Sequence, residues 1–192
     1  MVALFLVLVL SHAPGLLAEE EYYGSISRLE QCSGADNLTV KFNTLYMNYN
    51  GDTRYTLTFN LTCSKPLDKP MDMMFEVRKC ATEHGPCEDF LNHTIENLCT
   101  ELETEGSIPA TLFVMAGLPA KCPIPKGDYV TEKTEIKIHP ELLAMGRFGN
   151  YWQFKLQLAH PTPSGPDILL CLYVEGRVAT VKAKKLKRRK GR

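Results

Sequence analysis

The sequence predicts an all-β fold, a two-sheet antiparallel sandwich, on three observations. Residues 55–63, Tyr-Thr-Leu-Thr-Phe-Asn-Leu-Thr-Cys, alternate in polarity at every step, and residues 152–158, Trp-Gln-Phe-Lys-Leu-Gln-Leu, do the same. A period of two is the pattern of a strand with one buried and one wet face. Turn-forming clusters punctuate the chain at 50–52, 66–70, 123–127 and 161–166, and many short strands between such turns favour a sandwich. With 192 residues, 44% of them hydrophobic and 23% charged, the chain holds enough apolar material for one compact domain and is too short for two ordinary ones.

From the start of the chain, residues 2–10 are nine consecutive apolar residues, followed by Pro14, Gly15 and a small residue, Ala18, before three glutamates. Nine is half of the roughly 18 that a membrane span needs, so residues 1–18 read as a signal peptide. No later run is long enough to span. The expected mature domain, 19–181, is therefore exported, to the cell exterior or the lysosome. The strand at 55–63 points Leu57, Phe59 and Cys63 to its dry face, and that at 152–158 points Trp152, Phe154, Leu156 and Leu158 inward. Shorter strands are expected at 38–42, 73–79, 129–138, 168–175 and 177–182. Met73 and Phe75 face inward from one of these, and Met71, Met73 and Met74 suit a pliable wall.

One segment breaks the pattern. Leu91, Ile95, Leu98 and Leu102 recur at spacings of four, three and four, which predicts one short amphipathic helix within 88–103. Residues 108–118 are apolar but contain Pro109 and Gly117 and have neither periodicity, so they read as a loop. The run Leu112, Phe113, Val114 and Met115 is unusually apolar for a loop, and it is expected either to touch a membrane as a rim or to pack as a lid.

Charge is divided sharply. The last eleven residues, 182–192, hold eight Lys or Arg and no acid, leaving 14 basic against 22 acidic residues elsewhere. An acidic body excludes a nucleic-acid-binding fold, which needs cations on its folded surface. The basic tail suits a solvated segment with weak attraction to anionic surfaces.

Catalytic signatures are missing: the chain has no G-x-S-x-G, H-E-x-x-H, phosphate-cradling glycine loop or C-x-x-C. No cofactor and no metal is called for. Cys80, His84 and Cys87 read as a disulfide hairpin rather than a metal cluster. Glu101, Glu103 and Glu105 read as a solvated face rather than glycosidase carboxylates. Cys63, on an apolar strand face, lacks the accessible electropositive setting of a reactive thiolate. The mature chain carries seven cysteines, an odd number that leaves one unpaired, and three sequons at Asn37, Asn60 and Asn92.

The cysteine neighbourhoods say more than their count. Residues 80–90 (CATEHGPCEDF), 117–129 (GLPAKCPIPKGDY), Gly149-Asn150-Tyr151 and Leu170-Cys171 together resemble the ML (MD-2-related lipid-recognition) family, which includes sphingolipid activators. The similarity runs from about Cys32 to Val178. The resemblance implies a β cup with a large apolar cavity that takes lipid out of membranes. It also implies the pairs Cys32–Cys171, Cys80–Cys87 and Cys99–Cys122. A fourth family bridge is missing, since Ala120 stands where one of its cysteines would be, and Cys63 is left as the free thiol.

On this resemblance the expected function is a non-enzymatic lipid-binding and lipid-transfer protein. It would take a glycosphingolipid, a phospholipid or another fatty acyl lipid into the cavity, touch membranes transiently, and present its cargo to a partner such as a lysosomal glycosidase. The expected walls are Leu57, Phe59, Met73, Phe75, Trp152, Phe154, Leu156 and Leu158, with Leu112, Phe113, Val114 and Met115 at the rim. The rival reading is an extracellular receptor co-factor that uses a bound lipid as a signal.

Overall fold

A computed structural model describes residues 21–34, 37–51, 54–137 and 151–181; the leader and the basic tail lie outside them. In chain order the described elements are β1 (Glu21–Gln31), β2 (Val40–Gly51), β3 (Arg54–Cys63), β4 (Asp72–Cys80), β5 (Cys87–Ile95), α1 (Leu98–Glu103), α2 (Ile108–Met115), β6 (Gly127–Lys137), β7 (Tyr151–His160) and β8 (Asp167–Val181). The strands form two antiparallel sheets, ordered β1-β8-β7-β4-β5 and β2-β3-β6. The all-β two-sheet class read from the sequence is the class observed.

The two fully alternating stretches form β3 and β7, each central in its sheet. On β3, Tyr55, Phe59, Leu61 and Cys63 are buried. The strand expected at 38–42 is the first part of a longer one. A bulge between Phe42 and Thr44 moves the inward set from Val40 and Phe42 to Leu45, Met47 and Tyr49, and this phase slip hides a 12-residue strand from a strict period of two. Segments 168–175 and 177–182 are one strand, β8, paired on both sides.

The helix expected within 88–103 is corrected. The first half of that segment is β5, in register with β4 through Met73↔Ile95, Phe75↔His93 and Val77↔Leu91, and only its second half, from Leu98, is helical. Leu91 and Ile95 are four apart, an even spacing that shares one face of a strand as readily as of a helix. The hairpin closed by Cys80–Cys87 holds β5 against β4, and that pairing outweighs the local periodicity. Asn97, at φ 53°, then turns the chain into α1, where Leu98, Cys99 and Leu102 are buried.

The loop expected at 108–118 is also corrected, so there are two helices where one was expected. Ser107 caps α2, its Oγ accepting from Ala110 N at 3.1 Å. Pro109 lies in the first turn, where a missing amide hydrogen does no harm. Gly117, at φ +67°, follows the helix as its terminator.

Both sheets and both helices meet in one core, which joins Leu61, Met71, Leu98, Leu102, Phe113 and Leu158 among others. Three disulfides brace it: Cys32–Cys171, Cys80–Cys87 and Cys99–Cys122. These are the pairs that the resemblance implies.

Away from that core, the Tyr55 hydroxyl donates to the Gly24 carbonyl, tying β3 to β1 across the sheets. Burial pushes the Tyr55 phenol up to about 12, helped by neighbouring Tyr49. A folded state that keeps this proton after the unfolded chain has lost it is stabilised fully below about pH 10, and the benefit disappears as pH rises from about 10 to about 12. Denaturant titrations across that interval should show the native protein losing stability more steeply than Tyr55→Phe, which has no proton to release.

Candidate functional site

Register and charge identify the two faces of the five-stranded sheet. One face carries Lys155 against Glu76 at 3.3 Å, Arg78 against Asp89 at 3.2 Å, Gln153 Nε2 donating to Glu175 at 3.4 Å, and Arg28 over the Tyr173 ring at 5.5 Å. This polar ladder is the outer face. The other carries Met73, Phe75 and Val77 of β4 opposite Leu158, Leu156 and Phe154 of β7, with Leu170, Leu172 and Val174 of β8 beside them.

Coverage of this apolar face is uneven. At one end Met73, Leu158 and Leu170 are buried in the core. Phe75, Leu156 and Leu172, farther along, are half-buried against it. At the other end Phe154 is 43% exposed, and Leu91 and Phe90 of β5 are 44% and 47% exposed. Trp152 lies among them and is only 4% exposed. Its ring is 5.0 Å from Phe90 in an edge-to-face contact and 6.5 Å from Phe154 in a stacked one. Its register partners are Lys79 on β4 and Gly176 on β8, so one flank of the indole has no side chain. A side chain at 176 would collide with the Ser25 carbonyl oxygen, 2.5 Å from where its Cβ would stand. The Trp152 Nε1–H is buried and has no hydrogen-bond partner among the described residues.

The residues expected to wall a cavity thus divide by depth. Phe59, Met73 and Leu158 are core; Leu57, Phe75 and Leu156 are half-buried and packed against it; Trp152 and Phe154 belong to the less covered end. Met74 leaves the expected wall: it stands opposite Gln157 and Thr94, on the outer face, because alternation separates it from Met73. Met71 is fully buried.

On α2, Leu112 and Val114 are exposed together with Ile108, whereas Phe113 points into the core. Phe113 is therefore core rather than rim. Met115 ends the helix, and its side chain lies outside the described residues. Neither Phe90 nor Leu91, the latter assigned by its spacing to a helix, is among the expected wall residues, because the bulge between Val77 and Arg78 brings successive β5 residues to this end, which no single period marks.

The remaining expectations are placed as follows. Cys63 is the one unpaired cysteine, buried, with its Sγ donating to the Lys65 carbonyl at 2.9 Å. Burial pushes its thiol up, against the lowering effect of that hydrogen bond, so it stays protonated and unreactive at neutral pH. Asn37 and Asn92 are exposed. Asn60 is half-buried on the outer face of the three-stranded sheet and accepts from Asn43 Nδ2 at 3.2 Å. Glu103 and Glu105 are exposed, Glu103 lying 3.9 Å from Lys69. Among the described residues no group of His, Cys, Asp or Glu is arranged to hold a metal ion.

No protein-family model matches the chain, and no curated protein is significantly similar to it. What the fold defines is a disulfide-braced antiparallel β-sandwich. Its three disulfides are compatible with a secreted or lysosomal protein; among the described residues no helix is long and apolar enough to cross a membrane.

Proposed function

We propose that this protein is a lipid carrier without catalytic activity of its own. It takes an acyl lipid from a membrane into the space between its sheets and hands it to a partner or hydrolase. The observation that carries this reading is the apolar sheet face that is buried at one end and half exposed at the other. An ordinary sandwich covers such a face along its whole length, because each Å² of apolar surface left in water forfeits about 25 cal/mol. Here an uncovered, aromatic-rich strip leads inward to the core, which is what an entering hydrocarbon chain needs.

The magnitude favours an enclosing site over a surface patch. Lifting a two-chain lipid out of a bilayer exposes on the order of 30 methylenes, roughly 25 kcal/mol, which a shallow contact does not offset. The chain ends add a second support. Glu21 pairs with Val181, and Tyr151 with Arg177, so the basic tail at 182–192 begins at the less covered end of the sheet. Its eight cations would draw that end toward an anionic membrane at about 1 kcal/mol per charge near the surface. The ML resemblance supplies the lipid classes: glycosphingolipid, phospholipid or another fatty acyl lipid.

Transfer of a fluorescent sphingolipid between donor and acceptor vesicles tests the reading. The rate should rise in proportion to added protein, with no partner present. Removing residues 182–192 should slow transfer from anionic vesicles at low salt and leave zwitterionic vesicles unaffected. A transfer rate indifferent to the protein overturns the proposal, and formation of a stoichiometric complex with a receptor ectodomain would then favour the signalling co-factor.

A further inference from the structure

The indole of Trp152 presents a chemical problem that the fold does not solve. It is 4% exposed, its Nε1–H has no partner among the described residues, and the rings packed on it are Phe90 and Phe154. A buried donor left without an acceptor loses about 1–3 kcal/mol, and native proteins seldom tolerate one without a reason. Had this position needed only an aromatic wall, phenylalanine would serve, as it does at 90 and 154. The donor sits one step beyond Phe154, at the outer limit of the less covered end of the apolar face, the level at which a chain entering hydrocarbon-first leaves its first polar atoms.

We infer that Trp152 Nε1 donates to the acyl carbonyl of the bound lipid, so that the ligand is an acylated amphiphile rather than plain hydrocarbon. This rests on the carrier reading and specifies its ligand. The dimensions agree. From Trp152 to Leu156 the strand rises about 14 Å, and beyond Leu156 the face is filled by core side chains. An acyl chain in one leaflet of a bilayer spans about 15 Å. A carbonyl at the indole therefore places the chain's far end where the core begins. Phe90, Leu91 and Phe154 contact the first methylenes, and the headgroup stays outside. Fatty acids, esters and N-acyl sphingoid lipids share this carbonyl.

Trp152 is the only tryptophan of the chain, so its fluorescence reports on this position alone. Methyl palmitates brominated at carbon 2, at carbons 9 and 10, or at the terminal carbon should quench it in falling order, because bromine acts at contact range. In displacement of a dansylated fatty acid, methyl palmitate should bind about threefold to tenfold more tightly than hexadecane, the range expected for one hydrogen bond. Trp152→Phe should erase that preference while still binding hexadecane, its folding verified by its melting temperature. Palmitic acid and an N-palmitoyl sphingosine, run alongside, reveal which acylated class binds best. Quenching independent of bromine position, or equal affinity for ester and alkane in the native protein, overturns the inference, assigns the indole partner to trapped water, and leaves the carrier reading standing. Failure to bind ester or alkane overturns both.

Discussion

Replacing Cys32 and Cys171 together by serine should lower the melting temperature by about 10–20 °C. The bridge joins residues 139 apart, nearly the whole described domain. In the chain-entropy account, closing a loop of that size destabilises the unfolded chain by at most about 5 kcal/mol. For a domain of 150–250 residues each kcal/mol is worth about 2–4 °C. The same account gives about 2 kcal/mol for Cys80–Cys87, whose residues are 7 apart. Calorimetry on the two serine pairs should therefore show a clear ranking, with the long bridge dominant. Equal shifts would mean that the bridges act through local geometry and not through the unfolded ensemble. The long bridge matters here because, among the described residues, one end of the apolar sheet face is left nearly half exposed, so the fold gains less from burial than a fully closed sandwich of its size and leans more on its covalent cross-links.

Leu91→Asp combined with Phe154→Asp should reduce vesicle-to-vesicle lipid transfer at least tenfold while lowering folding stability by only about 1–2 kcal/mol. Both residues are more than two-fifths exposed, so the folded protein loses little packing when they change. An entering hydrocarbon chain, by contrast, would have to desolvate two carboxylates, and even 1.4 kcal/mol of added penalty is a factor of ten. Phe113→Ser is the contrast: its side chain is buried in the core, and truncating it should remove about 3–5 kcal/mol of stability, so transfer and folding should fail together. Transfer that survives the double aspartate would mean that lipid does not pass the Phe90–Phe154 end.

The strands that the sequence made legible are those whose alternation runs unbroken. β3 and β7 pair without an interrupting turn and place polar residues on one face and apolar ones on the other. Where a bulge inserts a residue, the period slips. This happens after Phe42 in β2 and beside Val77 in the β4–β5 pair, so alternation marks only the start of β2, and the spacing within β5 imitates that of a helix. Half of the candidate site shared that fate. Trp152 and Phe154 were readable as inward-facing because they keep phase with Leu158, whereas Phe90 and Leu91 lie on the bulged strand. The difference in coverage between Leu158 and Phe154 is not legible at all: it depends on what packs over each position, which the alternation of β7 does not encode. α2 was missed for another reason, because Pro109 breaks a helix interior but suits a first turn, and the two cases look alike until Ser107 is recognised as the cap.

Strand β5 closes its sheet with a neighbour on one side only among the described elements, so its outward amide and carbonyl groups form a template onto which another chain can knit. Asn92 stands in the middle of that selvedge and is exposed. Attaching a sugar there sets a bulky, hydrated obstacle at the place where two molecules would otherwise lock edge to edge. If that asparagine is glycosylated, material made in a host that adds no carbohydrate should carry the bare hem, with Phe90 and Leu91 beside it, and light scattering should show it associating more readily than the glycosylated form.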